Sequence, residues 1–282
     1  MRPNALLRQC LLAASDDGQT LALELLSPFG AVRQEYGYTY LPGTAPIMLV
    51  AHTDTVRTAS DLLCDPRKNV IWSPTGLGAD DRAGVYAIVT LLRRGLRPHV
   101  LLTDGEESGG WGAQCAADDL LCPADVRCLV QMDRRGQRDA VYYSCVSEAM
   151  RRYARRKGWR HAVGTFSDIA TLMPAWGVAG VNVSTGYMGE HTQGETLRLD
   201  WLQASIARVE NMVRNPPRQR IPYEPALGVM TSRQRFDFGC EAPDDYAELY
   251  AQLLDADEER DALRAWSRWR DDLDTTDNED NR

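Results

Sequence analysis

Two adjacent glutamates follow an apolar segment and precede a glycine pair in LLTDGEESGG, residues 101–110. Carboxylates placed side by side repel each other when both are charged. At the buried end of a strand, such a pair requires a bound cation or a raised pKa. Glu106 and Glu107 are therefore candidates for metal binding or acid–base chemistry, provided that the preceding segment is a buried strand.

Further histidine and aspartate side chains that could bind a metal ion occur around the other apolar segments of the chain. These residues are His52, Asp54, Asp80, Asp81, Asp133 and His191. Imidazole and carboxylate groups are ligands suited to zinc, cobalt or manganese. Each residue alone has an ordinary structural explanation, such as a helix cap for the Asp80–Asp81 pair. Taken together, the set indicates a divalent metal site.

Apolar strand-like segments alternate with helical segments over most of the chain. The predicted strands are 32–36, 47–52, 99–104, 128–133 and 178–184, and the predicted helices are 5–15, 80–94, 110–121, 146–157, 166–173 and 199–213. This alternation predicts an α/β fold, a three-layer α/β/α sandwich with a central mixed, mainly parallel sheet. Ligands of such sheets bind beyond the carboxyl ends of the strands, where the polar residues above are expected.

The prolines of NPPRQRIPYEP close the main domain, which we place at residues 1–215. A linker at 216–242, an amphipathic helical extension at 243–270 and a disordered acidic tail at 271–282 are expected to follow. Residues 241–282 hold 15 acidic and 5 basic residues, a net charge of −10, whereas the whole chain carries −8. The acidity therefore belongs to the C-terminal part. No signature of a nucleic-acid-binding fold accompanies the basic stretch 151–161.

The composition predicts a cytoplasmic protein with no membrane segment. The seven cysteines are odd in number and lack CxxC spacing, which is typical of reduced thiols. The chain has no run of 18 apolar residues. Its N-terminal apolar stretch is interrupted by Arg8 and Gln9, so we interpret it as an amphipathic helix and not as a signal peptide.

Five motifs, in order HTDT, GADDRAG, GEES, a strand-end aspartate and a final histidine, resemble the di-zinc exopeptidase clan. This clan includes aminopeptidases, peptidase T, carboxypeptidase G and related amidohydrolases, and the resemblance spans His52 to about Leu202. It implies two divalent metal ions, with zinc favoured over cobalt or manganese. It further implies that Asp80 bridges the two ions. The remaining ligands would be His52 and Asp133 for one ion, and Glu107 and His191 for the other.

The resemblance also implies roles around the metal ions. Glu106 would be the general base, and Asp54 would accept a hydrogen bond from His52 and fix its tautomer. A cis peptide bond between Asp80 and Asp81 is implied as well. The segment GTFSDIAT resembles one that lies beside the substrate in the clan, which suggests substrate-binding roles for Ser167 and Asp168; a helix N-cap is the alternative. Tyr187 is expected to flank the site.

The intervals between the motifs predict a catalytic domain without an inserted lid domain. They are 28 residues from position 52 to 80 and 58 from position 133 to 191, and the predicted elements fill both. In the clan, this arrangement is more typical of aminopeptidases. Asp133 points the same way, because many carboxypeptidases and deacylases of the clan have glutamate there.

The expected function is removal of N-terminal residues from short peptides. An amidohydrolase or deacylase acting on N-acyl amino acids, or a carboxypeptidase, is the closest alternative on the same scaffold. A non-catalytic binding protein that retains the fold is disfavoured, because all the expected ligands and the base are present. The missing lid and the apolar stripe of the C-terminal helix suggest self-association through that helix.

Overall fold

The computed structural model describes residues 2–226, apart from the side chain of Asp16. The expected helical extension at 243–270, the acidic tail at 271–282 and the second half of the linker lie outside the described residues.

The helices and strands alternate much as the sequence predicts. The α-helices are α1 (Ala5–Leu12), α2 (Gly18–Leu26), α3 (Ala79–Arg93), α4 (Trp111–Asp119), α5 (Glu148–Arg156), α6 (Asp168–Trp176) and α7 (Leu199–Arg214). The strands are β1 (Arg33–Glu35), β2 (Tyr38–Leu41), β3 (Ala45–His52), β4 (Leu63–Asp65), β5 (Val70–Trp72), β6 (Pro98–Thr103), β7 (Leu129–Arg134), β8 (Asp139–Val141), β9 (Arg160–His161), β10 (Gly180–Ser184), β11 (Tyr187–Met188) and β12 (Thr196–Arg198). The sequence did not predict the strands β2, β4, β5, β9, β11 and β12, each of two to four residues, or the helix α2.

The central sheet is mixed, with eight strands in the order β1-β2-β6-β3-β7-β10-β8-β9. Its inner strands β6, β3, β7 and β10 are parallel to one another, and β1 and β2 add an antiparallel edge. Helices α1, α3 and α7 pack together on one face, and α4 and α6 pack together on the other. The predicted three-layer α/β/α architecture is thereby confirmed.

Helix α3 lies at the centre of its layer and is buried along nearly its whole length. Its apolar residues pack on β3 and β7. Gly84 permits this close approach, because a Cβ atom there would collide with the carbonyl oxygen of Met132 on β7. The fully buried Arg82 donates hydrogen bonds to the carbonyl oxygens of Cys10 and Ala14, which ties the first helix to α3.

Parallel pairing brings the ends of three strands to one edge of the sheet. His52, the last residue of β3, is paired with Thr103, the last residue of β6, and β7 pairs with β3 on the other side. The residues that follow β6 include Glu106 and Glu107, and β7 carries Asp133 near its end. The polar residues singled out in the sequence therefore converge at the carboxyl edge of the sheet, as expected for this fold.

A second, antiparallel sheet has the order β11-β12-β5-β4. Strands β11 and β12 form a hairpin whose connecting loop, residues 189–195, carries His191. This hairpin is held against the body of the domain by pairing of β12 with β5. The second sheet thus supplies the expected ligand His191. The other expected ligands lie on α3 or at the carboxyl ends of strands of the central sheet.

Residues 216–226 fall within the expected linker, yet they follow the surface of the domain. The amide of Ile221 donates to the carbonyl oxygen of Arg127, and the carbonyl oxygen of Ile221 accepts from Ala179. Isolated bridges join Val178 to Pro222 and Cys145 to Pro225. Among residues 2–226, none of the helices combines the length and apolarity that crossing a bilayer requires.

Candidate metal centre

The imidazole of His52 lies at the floor of the polar cluster and is fully buried. Its Nε2 atom lies 3.5 Å from Oδ1 of Asp80 and 3.4 Å from Oδ1 of Asp133. Within the described residues this Nε2 atom has no hydrogen-bond partner. A buried nitrogen that faces two carboxylate oxygens without bonding to either is the arrangement expected of a metal ligand.

A second group of ligand atoms lies on the other side of Asp80. The Nε2 atom of His191 lies 3.2 Å from Oδ2 of Asp80 and 2.9 Å from Oε2 of Glu107. His191 has a left-handed φ of 63° and its side chain is about half exposed, at 49%. This second group is therefore more open to solvent than the first.

Asp80 is common to both groups, because one of its carboxylate oxygens faces His52 and the other faces His191. Its peptide bond to Asp81 is cis, which confirms that expectation. Asp81 accepts hydrogen bonds from the amides of His52 and Gly84. The two adjacent aspartates therefore differ in their contacts, because Asp80 faces both histidines whereas Asp81 is bonded to the backbone.

The spacing of the ligand atoms fits a pair of divalent cations. Donor atoms arranged tetrahedrally at about 2.1 Å from a zinc ion stand about 3.4 Å apart. The distances from His52 Nε2 to Asp80 and Asp133 are 3.5 and 3.4 Å, and the distance from His191 Nε2 to Asp80 is 3.2 Å. The described residues contain three groups of His, Asp and Glu close enough to share an ion, Asp80–Glu107–His191, His52–Asp81–Asp133 and His52–Glu106–Glu107. Asp80, which belongs to the first of these groups, also faces His52. The residues present therefore fit two ions that share Asp80.

Asp54 fixes the turn that carries the two glutamates. Its carboxylate accepts hydrogen bonds from the amides of Glu106, at 3.2 Å, and Glu107, at 3.0 Å. Its Oδ1 atom also lies 3.3 Å from Nδ1 of His52. The nearest oxygen of Glu106 lies 4.0 Å from Nε2 of His52, so its carboxylate faces the same space as the ligands. Asp54 therefore aligns the imidazole and both glutamates at once.

Burial and mutual repulsion raise the pKa values of several carboxyl groups in this cluster. Burial is the largest cause for Glu106, whose pKa is raised to about 9, and for Asp133, whose pKa is raised to about 7. The pKa of His191 is raised to about 10, chiefly by its hydrogen bonds with Asp80 and Glu107. In the absence of cations, the cluster therefore retains protons that free side chains would lose near neutral pH. A site that holds protons in this way is one where cations can replace them.

The family model of "Peptidase family M28" matches residues 38–176, which include β3, α3, β6 and β7 with their ligand residues. The resemblance of the sequence motifs to the zinc exopeptidase clan is thereby confirmed, and the match supports a metallopeptidase.

Solved structures of the zinc exopeptidase clan share the fold at low sequence identity. A tripeptidase from Staphylococcus aureus superposes with a TM-score of 0.62 at 13% identity, over 75% of this chain and 96% of its own. The aminopeptidase PepT from Bacillus cereus gives a TM-score of 0.58 at 14% identity, over 74% and 96%. A Zn-dependent exopeptidase from Parabacteroides distasonis gives 0.52 at 16% identity, over 74% and 95%. The comparison with curated protein sequences returned no match.

The expected substrate-binding residues Ser167, Asp168 and Tyr187 are buried beside the candidate metal centre. The hydroxyl of Ser167 donates to Oδ2 of Asp133 at 2.7 Å and does not cap helix α6. The hydroxyl of Tyr187 donates to Oδ1 of Asp80 at 3.0 Å. Both hydroxyls therefore bond to ligand carboxylates. Their role toward a substrate stays a prediction.

Asp168 lies behind the ligands and is fully buried. Its Oδ2 atom accepts hydrogen bonds from Thr103 and Gln131, whereas its Oδ1 atom has no hydrogen-bond partner within residues 2–226. Burial raises the pKa of Asp168 to about 6. Its role toward a substrate also stays a prediction.

Three buried polar residues that support the expected metal ligands were not predicted from the sequence. Asn182 donates to the carbonyl oxygen of Asp133 and accepts from its amide, and Gln131 accepts from the amide of Ile169. Both stand inside apolar strand segments, a signal that could have found them, since a buried amide side chain needs partners. The third, Glu195, follows His191 by four residues in the loop HTQGE, where no local pattern distinguishes it.

Proposed function

We propose that the protein is a metal-dependent exopeptidase that removes N-terminal residues from short peptides, with two zinc ions in the site. The observation that carries this proposal is the position of Asp80, whose two oxygens face two separate groups of ligand atoms. His52 and Asp133 would hold one ion, and Glu107 and His191 the other. When bound, such ions polarise a substrate carbonyl group and lower the pKa of a water molecule.

Glu106 is the residue of this chain that can move the proton. Its carboxyl group borders the ligands but is not one of the closest donors, lying 4.0 Å from Nε2 of His52. Burial raises its pKa to about 9, and nearby cations lower the pKa of a carboxyl group. We propose that Glu106 accepts a proton from the attacking water and passes one to the leaving amine.

The preference for a substrate with a free amino terminus is supported by similar solved structures, among them a tripeptidase and the aminopeptidase PepT. Asp133 supports an aminopeptidase as well, because many carboxypeptidases and deacylases of the clan have glutamate at this position. Glu190, which precedes His191, and Arg135 are paired with each other at 2.7 Å, so neither is spare to bind a free ammonium or carboxylate group.

The proposal is tested with a matched pair of dipeptides, one with a free amino terminus and one N-acetylated. The protein is reconstituted with zinc, or with cobalt in a parallel experiment, and Glu106→Gln serves as the blank. We expect turnover of the free-amine dipeptide, at a rate that the blank lowers by a factor on the order of 10²–10⁴. Turnover of the acetylated dipeptide alone would contradict the aminopeptidase assignment and favour the deacylase or carboxypeptidase alternative.

Metal uptake tests the catalytic class separately from the substrate. The metal-free protein is titrated with zinc and the bound ions are counted by mass spectrometry under non-denaturing conditions. Two ions are expected. A folded protein that takes up no metal and cleaves neither dipeptide would support the non-catalytic alternative.

We also propose a cytoplasmic location and self-association. The proposed location rests on the odd number of cysteines and their lack of CxxC spacing, which is typical of reduced thiols. The helix expected to mediate self-association lies outside the described residues, so sedimentation of the full chain is the appropriate test.

A further inference from the structure

Glu195 is a buried carboxylate whose hydrogen bonds within residues 2–226 are to backbone amides at the start of α3. Its side chain belongs to the loop between β11 and β12, and the residue is 1% exposed. One oxygen accepts from the amide of Gly78 at 2.7 Å. The other accepts from the amides of Ala79, at 2.8 Å, and Asp80, at 3.1 Å. Three successive amides therefore converge on one side chain more than a hundred residues away in the chain.

The first turn of α3 needs such a partner. Helix starts leave several amides without intrahelical acceptors, and a side chain just before the helix usually accepts from one of them. Here the residue before the helix is Gly78, which has no side chain and adopts a left-handed φ of 64°. Asp80 and Asp81 also depart from helical backbone angles. Glu195 thus replaces a local cap at the turn that carries the shared ligand.

The same hairpin contacts Asp80 from two further directions. The hydroxyl of Tyr187, on β11, donates to Oδ1 of Asp80. The Nε2 atom of His191 lies 3.2 Å from Oδ2 of Asp80. Glu195 holds the backbone of the same residue. One hairpin therefore fixes both oxygens and the main chain of Asp80.

We infer that Glu195 is a positioning residue that aligns the carboxylate of Asp80 with both metal ions. It does so by holding the amides of residues 78–80, and it couples this turn to the loop that carries His191. The inference rests on the proposed two-metal function, because it assigns to Glu195 an effect on metal affinity. Glu195 contacts neither the ions nor the substrate.

The substitution Glu195→Gln is the central test. The amide side chain has nearly the shape of glutamate and retains one oxygen for Ala79 and Asp80. It places a nitrogen donor against the amide of Gly78, where an acceptor is needed. Glu195→Ala removes all three acceptors and is the stronger variant. Because the glutamine variant is close in size and shape, it keeps the test informative if the alanine variant fails to fold.

Two measurements on the metal-free protein separate positioning from simple stabilisation. Hydrogen exchange of the amides of residues 78–80 reports whether the turn has loosened. Zinc titration calorimetry reports the affinity of each ion. We expect faster exchange and zinc binding weaker by a factor of about 10–100, the range typical of residues that orient metal ligands. With saturating zinc, kcat is expected to fall while KM changes little.

Glu210→Gln is the matched control. Glu210 lies on α7 and its carboxylate is hydrogen-bonded to Arg94 and Arg214, away from the ligands. This variant removes one charge from a partnered glutamate, and its zinc affinity should equal that of the unmodified protein. Any loss of zinc affinity shared by Glu210→Gln and Glu195→Gln would reflect general destabilisation and would overturn the inference.

Zinc affinity that is unchanged in Glu195→Gln, despite faster amide exchange at residues 78–80, would also overturn the positioning role. That result would leave the proposed function standing. An unmodified protein that binds no zinc would instead overturn the proposed function, and the inference with it.

Discussion

Glu106 and Glu107 are neighbours in the chain, yet their carboxylates face different groups. Both oxygens of Glu107 lie within 3.0 Å of Nε2 of His191. The nearest distance from Glu106 to a ligand nitrogen is 4.0 Å, to His52. This difference supports a ligand role for Glu107 and a proton-transfer role for Glu106.

Substitution of the two glutamates should therefore have different effects on metal content. Glu107→Ala removes a ligand, so we expect loss of one zinc ion from the protein. Glu106→Gln preserves the ligands, so both ions should remain while kcat falls by a factor on the order of 10²–10⁴. Metal analysis of the two purified variants, with steady-state kinetics, provides the measurement. Loss of zinc from Glu106→Gln with full retention in Glu107→Ala would reverse the assignment.

Asp54 acts on three groups at once, and its substitution should affect activity more than stability. In Asp54→Asn, one oxygen acceptor is replaced by a donor that faces the amides of the glutamate turn. We expect kcat/KM at saturating zinc to fall about 10–100-fold. Asp65→Asn is a matched control, because Asp65 also accepts from two backbone amides, those of Arg67 and Lys68, but in an exposed turn. An equal loss of activity in both variants would contradict the role of Asp54.

At the scale of elements, the turn that carries the glutamates is fixed by contact with the first residue of α4. Gly105 has a φ of 73°, and a Cβ atom there would collide with the indole of Trp111. Gly109, in the same turn, has a φ of 97° and open space around it. The two glycines thus share the left-handed backbone but differ in their surroundings.

Gly105→Ala should therefore destabilise the protein more than Gly109→Ala. Both variants place alanine in a left-handed conformation, which costs about 1–2 kcal/mol. Gly105→Ala adds the collision with Trp111, which we expect to cost about 1–3 kcal/mol more. Urea unfolding of both variants measures the difference. Equal destabilisation would show that the packing of Trp111 on this turn is unimportant.

At the scale of the whole molecule, the buried acids should make the metal-free protein less stable as the pH rises. Burial is the largest cause of the raised pKa values of Asp133 and Glu195, each about 7, and of Glu106, about 9. The unfolded chain loses these protons near pH 4. The folded state therefore binds more protons over this range, and raising the pH favours unfolding.

His191 makes the metal-free protein less stable at high pH, as the buried acids do. The pKa of His191 is raised to about 10, so the stabilisation from its charged form is lost as the pH rises through that value. The pKa of Asp80 is lowered, chiefly by hydrogen bonds with His191 and His52 that outweigh its burial. The stability that Asp80 contributes is lost only in acid, below its usual pKa.

We therefore expect the Tm of the metal-free protein to fall between pH 6 and pH 9. Added zinc should raise the Tm more at pH 8 than at pH 6, because fewer protons then compete for the ligands. Thermal unfolding with a chelator, and with zinc, measures both effects. A Tm that rises from pH 6 to pH 9 without metal would contradict the assignment of proton-retaining carboxyl groups.

Much of the fold was predictable because its longer elements bury continuous apolar runs. Strands β3, β6, β7 and β10 and helix α3 are buried along almost their whole length, so their lengths distinguish strand from helix, whereas α7 shows helical periodicity. Short elements such as β4, β11 and β12 were missed, because two or three residues are too few to show a period. Their pairing depends on partners far away in the chain, which local patterns do not reveal.

The sequence by itself determined the metal-ligand residue types, their order and the α/β alternation that brings strand ends to one edge. These features are local, since His52 and Asp133 lie at the ends of apolar strands, Glu107 follows one and Asp80 opens an apolar helix. Only the tertiary structure decided which atoms face each other. In the folded chain, Ser167 and Tyr187 donate hydrogen bonds to the carboxylates of Asp133 and Asp80, and Glu195 accepts one from the amide of Gly78. Such pairings join residues remote in the chain, and they arise because buried polar groups must find partners once the layers close.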